Sequence, residues 1–426
     1  MRLPVADADL LALFSALPAH VRRPCLLQGR GQGGFADTLA WEPAAALEGS
    51  RNGPQDARSQ LERFVAEQSL RGRLCIGFCS YELGHHLHGL SLRPKPGPAL
   101  PDYCWLAFDH WLARDGDDWV LHGSEPRFAE QIAAARERAA RVEERAPRFE
   151  PVQFRPLLSP AEYGAAYQRI AEYIRAGDIY QVNLTHQLRG QSSLSARSLF
   201  PFVARSNPVE HLAYLEGDGY AIHSASPERF VRIQQNAIET VPIKGTRPRG
   251  AGPEQDRARL AELLASEKEA AELHMITDLL RNDLAQVCVP GTVLVAESRA
   301  ARASPKVWHT SSRVTGTLRA DLAPFSAVLQ MLPGGSISGC PKRRALQIID
   351  ELEQTERGVY TGVIGRVDPD GSCDFSIAIR TLVQQGRELY LSVGGGIVYD
   401  SAQEQELEET LLKASSFSNL PARFLS

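Results

Sequence analysis

Two pairs of glutamates have the spacing that places both members of a pair on one face of a helix. Glu269 and Glu272 lie three residues apart in SEKEAAELHMITDLLRNDL. Glu406 and Glu409 repeat that spacing in AQEQELEETLLK. If the two helices face each other, four carboxylates converge, which a hard divalent cation such as magnesium would make tolerable. Each pair could also consist of ordinary surface side chains. Glu409 would then form an i,i+4 ion pair with Lys413. Spacing therefore leaves the metal site open.

The segment VPIKGTRPRG places Lys244 between an apolar run and a Gly-Thr turn. A lysine in this position could be a solvated amine at a strand end or a counter-ion for an anionic ligand. It could also be a nucleophile, because a lysine amine that has lost its proton can attack carbon. The local sequence does not choose among the three.

Three further polar side chains stand in or beside apolar runs. Glu228 follows Pro227 at a strand start in SPERF, where a surface carboxylate is the simpler interpretation and a general acid the alternative. Arg380 lies in FSIAIRTLV, a strand so apolar that its guanidinium needs an anionic partner. His309 in KVWHT suits a core imidazole and a functional one equally.

Two glycine-rich segments look at first like phosphate-binding loops. In PGGSISGCPK, residues 333–342, Cys340 and Pro341 stand where a P-loop requires Lys and Ser or Thr. VGGGIVYDS, residues 393–401, lacks the third glycine of a dinucleotide fingerprint. These glycines therefore either bring backbone N–H groups close to a carboxylate or form tight turns.

The elements that must position these side chains are helices and paired strands. A helix is predicted after Ser159, because Pro160 suits its first turn and Glu162 completes a capping box. In DIYQVNLTHQL apolar and polar residues alternate, which predicts a strand with one core face and one wet or functional face. Proline-rich EPVQFRPLLSP indicates a boundary near residue 150.

Further strands and helices are predicted along the whole chain. The strands cover residues 211–216, 220–233, 237–244, 310–318, 359–367, 375–383 and 388–399. The helices cover residues 126–147, 197–205, 254–286, 323–331, 341–354 and 402–416. Consecutive strands joined by turns favour antiparallel pairing and an α+β fold.

The composition is that of an average globular protein with room for a large core. The 426 residues are 43% hydrophobic and 23% charged. A net charge of -4 argues against a general nucleic-acid binder, which needs a basic field. No apolar stretch approaches the roughly 20 residues that cross a bilayer, and MRLPVADADLLALF does not look like a signal peptide. Seven scattered cysteines suit reduced thiols. A cytoplasmic protein without nucleic-acid or membrane partners is expected.

A series of motifs occurs in a fixed order between residues 155 and 420. They are YQVNLT, SPERF, PIKGT, KEAAELHMITDLLRNDL, PGGSISGCPK, RGVYTGVIG, FSIAIRT, GGGIVYDS and ELEETLLKA. In that order they strongly resemble the chorismate-utilising enzymes. That family includes anthranilate synthase and aminodeoxychorismate synthase components I, isochorismate synthases and salicylate synthases. CLLQGRGQGG and FCSYELGHH resemble the variable N-terminal part of the two aminating groups.

The resemblance implies a fold and a division of the chain. The fold is α+β, layered α/β/β/α, with two large orthogonal antiparallel sheets. Residues 1–150 would be the N-terminal segment packed into that same fold. Residues 151–426 would be the chorismate-binding catalytic domain.

Two positions indicate a branch of the family. Isochorismate and salicylate synthases have a lysine that activates water where this chain has Gln181, which disfavours hydration. Anthranilate synthases resemble PIAGT where this chain, like the aminodeoxychorismate synthases, has PIKGT with Lys244. Lys244 would attack C2 of chorismate as the C4 hydroxyl departs, and ammonia would then attack C4 and expel the lysine. The product implied is 4-amino-4-deoxychorismate, a precursor of para-aminobenzoate and folate.

The resemblance also implies a role for each remaining site residue. Glu228 would be the general acid that protonates the departing oxygen. Magnesium would be held by Glu272 and Glu409, with Glu269 and Glu406 in support. The implied substrate-binding residues are Gln181, Gly245, Thr246, His309, Tyr360, Arg380, Gly394, Gly395, Gly396 and Lys413.

Partners and alternatives follow from the same resemblance. Ammonia would come from a separate glutamine amidotransferase subunit, because no Cys, His and Glu glutaminase signature follows ELEETLLKA. Tryptophan can bind near the N-terminal segment of aminating relatives, and CLLQGRGQGG departs from their Leu-Glu-Ser type pattern. An anthranilate synthase that carries Lys244 is the alternative enzyme. A non-catalytic subunit of the same fold would have lost Glu228 or a metal carboxylate, and this chain retains them.

Overall fold

The computed structural model contains two large antiparallel sheets with helices on their outer faces. It describes residues 2–3, 10–29, 33–53, 56–116, 118–123, 126–142, 152–304 and 307–417. The predicted α+β class is confirmed. In these ranges every helix is too short or too polar to cross a lipid bilayer.

The strands and helices have the following bounds in the described ranges. The strands are β1 (Arg2–Leu3), β2 (Cys25–Gln28), β3 (Thr38–Ala40), β4 (Ala45–Gly49), β5 (Leu74–Cys79), β6 (Tyr103–Phe108), β7 (Trp111–Asp115), β8 (Asp118–His122), β9 (Arg155–Pro156), β10 (Gln181–Gln191), β11 (His211–Gly217), β12 (Tyr220–Ser226), β13 (Arg229–Gln234), β14 (Ala237–Val241), β15 (Ile243–Pro248), β16 (Leu294–Ala303), β17 (Val307–Thr317), β18 (Gly339–Cys340), β19 (Val363–Val367), β20 (Cys373–Ile377), β21 (Thr381–Gln385) and β22 (Glu388–Ile397). The helices are α1 (Leu10–Ser15), α2 (Ala57–Leu70), α3 (Tyr81–Leu87), α4 (Pro126–Val142), α5 (Pro160–Arg175), α6 (Ala196–Ser206), α7 (Pro253–Ala265), α8 (Glu267–Ala285), α9 (Pro324–Met331), α10 (Lys342–Leu352) and α11 (Gln403–Ala414).

Each sheet combines strands from distant parts of the chain. The first sheet has the order β1-β8-β7-β3-β2-β11-β12-β21-β22-β10-β18, with β9 beside β10. The second sheet has the order β15-β17-β14-β13-β20-β19-β5-β6-β4, with β16 beside β17. Strands from the first 150 residues thus lie in both sheets, where β2 pairs with β11 and β5 with β19. The predicted boundary at residue 150, and the end of the predicted helix 126–147, lie outside the described residues.

Apolar side chains on both faces of the sheets create the layers. The cluster between the sheets takes Ile76 and Phe78 from the second sheet and Leu27 and Ile222 from the first. The outer face of the first sheet packs against α1, α4 and α6. The outer face of the second sheet packs against α2, α8 and α9. The α/β/β/α layering implied by the resemblance is therefore present.

Two neighbouring chain segments cross from one sheet to the other at the same place. β12 pairs with β21 in the first sheet, while their continuations β13 and β20 pair in the second. The two crossings are joined by backbone hydrogen bonds, from Ile377 N to Glu228 O at 3.1 Å and from Ala225 N to Arg380 O at 3.0 Å. The predictions of uninterrupted strands over 220–233 and 375–383 are wrong. The interruptions at Pro227-Glu228 and at Arg380 are only one or two residues long, so they did not indicate a change of sheet.

The predicted helices are present except for one break, and α1, α2 and α3 were not predicted. Ser159 and Glu162 form the predicted capping box at the start of α5. The single helix predicted over 254–286 is wrong, since α7 ends at Ala265 and α8 begins at Glu267. Ser266 separates them, and its hydroxyl accepts from Glu269 N to cap α8. The break sets the direction of the helix that carries Glu269.

The polar face of β10 is buried rather than wet. Gln181, Asn183, Thr185 and Gln187 are all buried. Tyr180, predicted to lie on the core face, precedes the strand and is 68% exposed. The alternation was real, but Tyr360 and the neighbouring strand β22 enclose the polar face, so polarity here marks an internal polar layer.

Candidate active site

Glu228 lies at the crossing between β12 and β13 with only 7% of its surface exposed. The interpretation of a surface carboxylate is therefore wrong. Burial raises the pKa of Glu228 to about 7, against the effects of the Ser336 hydroxyl and the charge of Lys244. Its Oε1 atom has no hydrogen-bond partner among the described residues. A carboxyl group with this pKa is partly protonated near neutral pH and can donate that proton to a bound molecule.

A bulge in β15 sets the direction of Lys244. The register against β17 shifts between Lys244 and Thr246, and Gly245 between them has a φ of 70°. The Thr310 hydroxyl donates to the Lys244 carbonyl oxygen at 2.6 Å, which holds the bulge. A side chain on Gly245 would meet a Glu269 carboxylate oxygen at 2.9 Å, so glycine also permits α8 to approach.

The ammonium group of Lys244 lies among carboxylates from three elements. Its charge lowers the pKa of Glu228 at the crossing, of Glu272 on α8 and of Glu409 on α11, in each case against the effect of burial. These residues are far apart in the chain, so only the tertiary fold, including the packing of β15 against α8, brings them together. A ligand bound between these elements would be within reach of the amine.

The four glutamates predicted as metal ligands lie on α8 and α11, where the charge of one glutamate raises the pKa of another. Burial raises the pKa of Glu272, and the charges of Glu269 and Glu406 add to that effect. Burial also raises the pKa of Glu406, opposed by the Ser401 hydroxyl, which donates to it at 2.6 Å. Neighbouring carboxylates with raised pKa values are the condition that a bound cation would relieve.

Cationic side chains partner three of these carboxylates. Glu269 pairs with Arg247 at 3.2 Å, and Glu409 forms the predicted i,i+4 pair with Lys413 at 2.8 Å. Glu272 lies 3.9 Å from Lys268 on the same helix. In the described part of the chain, no three His, Cys, Asp or Glu side chains stand close enough together to hold a metal ion. The donor chemistry still fits a hard divalent cation, because carboxylate oxygens on two helices are the ligands that magnesium prefers.

Arg380 and His309 form another wall of the site. Arg380 lies between β20 and β21 with a φ of 48°, a conformation that costs a non-glycine residue about 1 kcal/mol or more. Its anionic neighbour is Glu210, whose charge opposes the lowering of the Arg380 pKa by burial. Burial lowers the pKa of His309 to about 4, and the charge of Arg380 adds to it. His309 is therefore a neutral, buried imidazole beside a guanidinium.

The glycines of GGGIVYDS lie inside β22 rather than in a loop. A side chain on Gly394 would meet the Leu184 carbonyl oxygen at 2.7 Å, and one on Gly396 would meet Gln181 Nε2 at 2.6 Å. The tight-turn interpretation is wrong for this segment, since close approach by β10 and by the Gln181 side chain explains the glycines. Gln181 Oε1 is buried without a hydrogen-bond partner among the described residues, which leaves it able to accept from a ligand.

The C-terminal helix is joined to the same strand. Lys413 donates to the Gly394 carbonyl oxygen at 2.9 Å in addition to its pair with Glu409. A side chain on Gly395 would meet Glu406 at 3.3 Å. Lys413 and the three glycines thus share one side of the site with Glu406 and Glu409 of α11.

Two predicted binding residues, Tyr360 and Thr246, differ in how deeply they are buried. Tyr360 is buried, which raises its pKa, and the Thr185 hydroxyl opposes that shift. Thr246 pairs with His309 across the strands, but its residue is exposed at the end of the bulge. Tyr360 is therefore enclosed with β10, whereas Thr246 lies at the rim.

Two buried ion pairs beside the site were not predicted from the sequence. Glu353 and Arg357 pair at 2.7 Å, with side chains 3% and 1% exposed. Asp283 and Lys342 pair at 2.6 Å and join α8 to the segment after PGGSISG. The lysine of PGGSISGCPK thus binds a carboxylate of this chain. Charged residues next to RGVYTG and in LLRNDL were the available signal, but an isolated charge does not reveal its partner.

The predicted tryptophan segment is described only in part. Residues 30–32 of CLLQGRGQGG lie outside the described ranges. Among the described neighbours, Gly29 N donates to the Asp37 carboxylate at 3.0 Å, and Phe35 N donates to Glu210 O at 3.1 Å. These bonds place the segment near Glu210, behind Arg380.

Comparison with known proteins agrees with this geometry. The model of a family described as chorismate binding enzymes matches residues 23–419. Aminodeoxychorismate synthase component 1 of Klebsiella aerogenes is 37% identical over 348 residues, covering 80% of this chain and 75% of that protein. Anthranilate synthase component 1 of Cereibacter sphaeroides is also 37% identical, over 360 residues, covering 80% of this chain and 71% of that protein.

Solved structures show the same fold. The crystal structure of anthranilate synthase component I from Streptococcus pneumoniae has a TM-score of 0.77 at 26% identity and covers 98% of both chains. The menaquinone-specific isochorismate synthase of Escherichia coli has a TM-score of 0.76 at 20% identity, covering 98% of this chain and 92% of that one. The second likeness is one of fold alone.

Proposed function

We propose, since the chain belongs to the family of chorismate binding enzymes, that it is the chorismate-aminating component of aminodeoxychorismate synthase. It would convert chorismate and ammonia into 4-amino-4-deoxychorismate in the cytoplasm, on the route to para-aminobenzoate and folate. The observation that supports the proposal is that Lys244 lies at a bulge in β15 and that its charge lowers the pKa values of Glu228, Glu272 and Glu409.

The reaction requires two allylic displacements. The neutral Lys244 amine forms a bond to C2 of chorismate, the ring double bond shifts, and the C4–oxygen bond breaks. Glu228 gives its proton to the departing oxygen, which leaves as water. Ammonia then bonds to C4, the double bond shifts back, and the C2–nitrogen bond to Lys244 breaks. The net change replaces the C4 hydroxyl by an amino group and restores the lysine.

The surroundings of Glu228 suit this role. Its pKa of about 7 keeps a proton available at neutral pH, and burial is the cause. Its Oε1 atom is without a hydrogen-bond partner among the described residues, so it can turn toward a ligand. The charge of Lys244 favours the carboxylate, so a neutral lysine and a protonated Glu228 support each other.

The substrate is a dianion, and the site offers separate positive groups for it. Arg380 and Lys413 supply charge, while Tyr360 and the backbone of Gly394 to Gly396 supply hydrogen-bonding groups. Arg380 lies at the crossing with a φ of 48°, and its guanidinium would contact a substrate carboxylate. Gly245, Thr246, His309 and Gln181 would contact the ring and its side chain.

Magnesium is the cofactor we propose, held by Glu272 and Glu409 with Glu269 and Glu406 in support. When bound, it would supply positive charge for a substrate carboxylate and make the four glutamates compatible. This chain's part is to hold the ligands, with Ser401 fixing Glu406 and Arg247 fixing Glu269. Lys413 would need to share Glu409 with the cation.

Ammonia is expected from a separate glutamine amidotransferase subunit. Gln181 supports this choice over hydration, because an amide cannot act as the general base that the water-using relatives need at this position. The proposal does not require tryptophan to bind near the N-terminal segment.

The product decides between the proposal and its rival. The protein is to be incubated with chorismate, magnesium and ammonium, followed by a lyase specific for 4-amino-4-deoxychorismate. We expect para-aminobenzoate, identified by mass and NMR. Anthranilate as sole product would reject the proposal. It would support anthranilate synthase component I, the second candidate, which relatives match at the same 37% identity.

Removing one metal carboxylate is expected to weaken magnesium binding. For Glu272→Gln, a calorimetric titration of magnesium in the presence of chorismate should give an affinity lower by about tenfold to hundredfold. The control is Glu267→Gln, an exposed glutamate on the same helix, which should bind as the unmodified protein does. Equal affinities for both variants would show that the cation lies elsewhere.

A further inference from the structure

We propose that the buried Glu353–Arg357 pair is a positioning device that keeps three segments of the active site in register. This inference rests on the proposed function for its kinetic consequences. Neither residue is among the groups that would touch chorismate. Their place in the structure is directly behind the residues that would.

The pair itself is bidentate and inaccessible to solvent. Arg357 Nη2 donates to Glu353 Oε1 at 2.7 Å, and Arg357 Nε donates to Glu353 Oε2 at 2.9 Å. The face of the Arg357 guanidinium lies 4.3 Å from the centre of the Tyr81 ring. A planar group held on its edge and on its face has one orientation.

From that orientation the pair bonds to three separate segments. Arg357 donates to the Asn183 carbonyl oxygen on β10 at 2.8 Å and to the Ile337 carbonyl oxygen at 3.0 Å. It also donates to the Thr361 hydroxyl at 3.2 Å. Glu353 accepts from Thr185 N at 2.9 Å, which holds β10 a second time.

Each of these segments carries a site group one or two residues away. β10 begins with Gln181, and its Thr185 lies against Tyr360. Ile337 follows Ser336, whose hydroxyl influences the acidity of Glu228. Thr361 follows Tyr360. A displacement of the guanidinium would therefore move the general acid, the strand of Gln181 and Tyr360 together.

A second arginine of the same design provides a matched control. Arg197 forms a bidentate pair with Glu216, with both hydrogen bonds at 2.9 Å. It also donates to the carbonyl oxygens of Pro18 and Val21. None of these segments holds a proposed site residue. Replacing Arg197 therefore tests the effect of breaking a bidentate pair with several backbone contacts while the site stays in place.

The variants to compare are Arg357→Lys and Arg197→Lys, because lysine keeps the charge but cannot donate in a fork. Hydrogen exchange of the full-length protein is measured first. In Arg357→Lys we expect faster exchange, together, in peptides over residues 181–187, 335–339 and 360–362. In Arg197→Lys these three peptides should exchange as in the unmodified protein.

Kinetics give the second measurement, under conditions where each variant is folded. For Arg357→Lys we expect kcat/KM for chorismate to fall by about tenfold to hundredfold, with a raised KM and a shifted pH profile. A merely structural role would lower the folded fraction and leave KM and the pH profile unchanged. If Arg357→Lys does not fold, Glu353→Gln takes its place, since the amide still accepts from Thr185 N.

Two outcomes overturn the inference. One is exchange that speeds up in only one of the three segments. The other is an Arg357→Lys or Glu353→Gln protein whose KM and pH profile match those of Arg197→Lys. If the unmodified protein does not convert chorismate, the proposed function fails, and the exchange experiment still decides whether the pair couples the segments.

Discussion

Replacing Lys244 with Ala is expected to slow the formation of 4-amino-4-deoxychorismate by at least about 10⁴-fold, since removing a catalytic nucleophile can cost about 10⁶-fold. Without the amine, ammonia can attack C2 directly, and the nitrogen that is still transferred should appear there, as the precursor of anthranilate. The measurement is a product analysis by mass and NMR with ammonium as the nitrogen source. In the unmodified enzyme, rapid quenching should trap chorismate-derived mass on the peptide that contains Lys244.

Arg73→Ala is the control for the loss of a cationic side chain. Arg73 pairs with Asp109 at 2.7 Å, away from the proposed site and from Arg357, so its removal should leave rate and product unchanged. Normal turnover of Lys244→Ala to the same product would refute covalent catalysis. It would leave Lys244 with the two other roles considered from the sequence, a counter-ion for an anionic ligand or a solvated amine at a strand end.

Replacing Glu228 with Gln is expected to lower kcat by about 10³-fold, within the usual range for losing a general acid. The pH dependence follows from the direction of the shift. Burial raises the pKa of Glu228 to about 7, so the acid form predominates below that pH and is lost as pH rises through it. The activity of the unmodified enzyme should therefore fall above about pH 7, and this limb should be absent in Glu228→Gln.

Glu216→Gln controls for the removal of a partly buried carboxylate. Glu216 pairs with Arg197, and its side chain is 24% exposed, but it lies outside the proposed site. Its variant should retain both the rate and the alkaline limb. If Glu228→Gln retained the limb as well, another group would have to supply the proton.

Motif order assigns candidate site residues that local physics cannot, and those assignments stay predictions. From spacing, Glu269 with Glu272 and Glu406 with Glu409 were ambiguous. In the structure Glu409 forms the ion pair with Lys413 and its charge also raises the pKa of Glu406, while its role as a metal ligand stays a proposal. From its local context alone, Glu228 was assigned to the surface, and it is buried. A Pro-Glu at a strand end carries no information on what packs over it.

The groups that were missed act through other residues. Glu353 and Arg357 are four residues apart and look like an ordinary helix-surface pair in sequence. Their importance comes from bonds to Asn183, Thr185 and Ile337, which are distant in the chain. Because a hydrogen bond to a backbone carbonyl requires no particular side chain on the acceptor, sequence leaves no trace of it.

The sequence by itself determined the features that depend on a few neighbouring residues. These are the capping box at Ser159, the helical faces that carry the glutamate pairs, the alternation of β10 and the order of motifs that identifies the family. Tertiary structure alone decided the crossing of two strand pairs between the sheets, the burial of Glu228 and the meeting of Lys244 with carboxylates from α8 and α11. Local propensity acts over one turn or one hairpin, whereas burial and electrostatic coupling depend on which remote segments pack together.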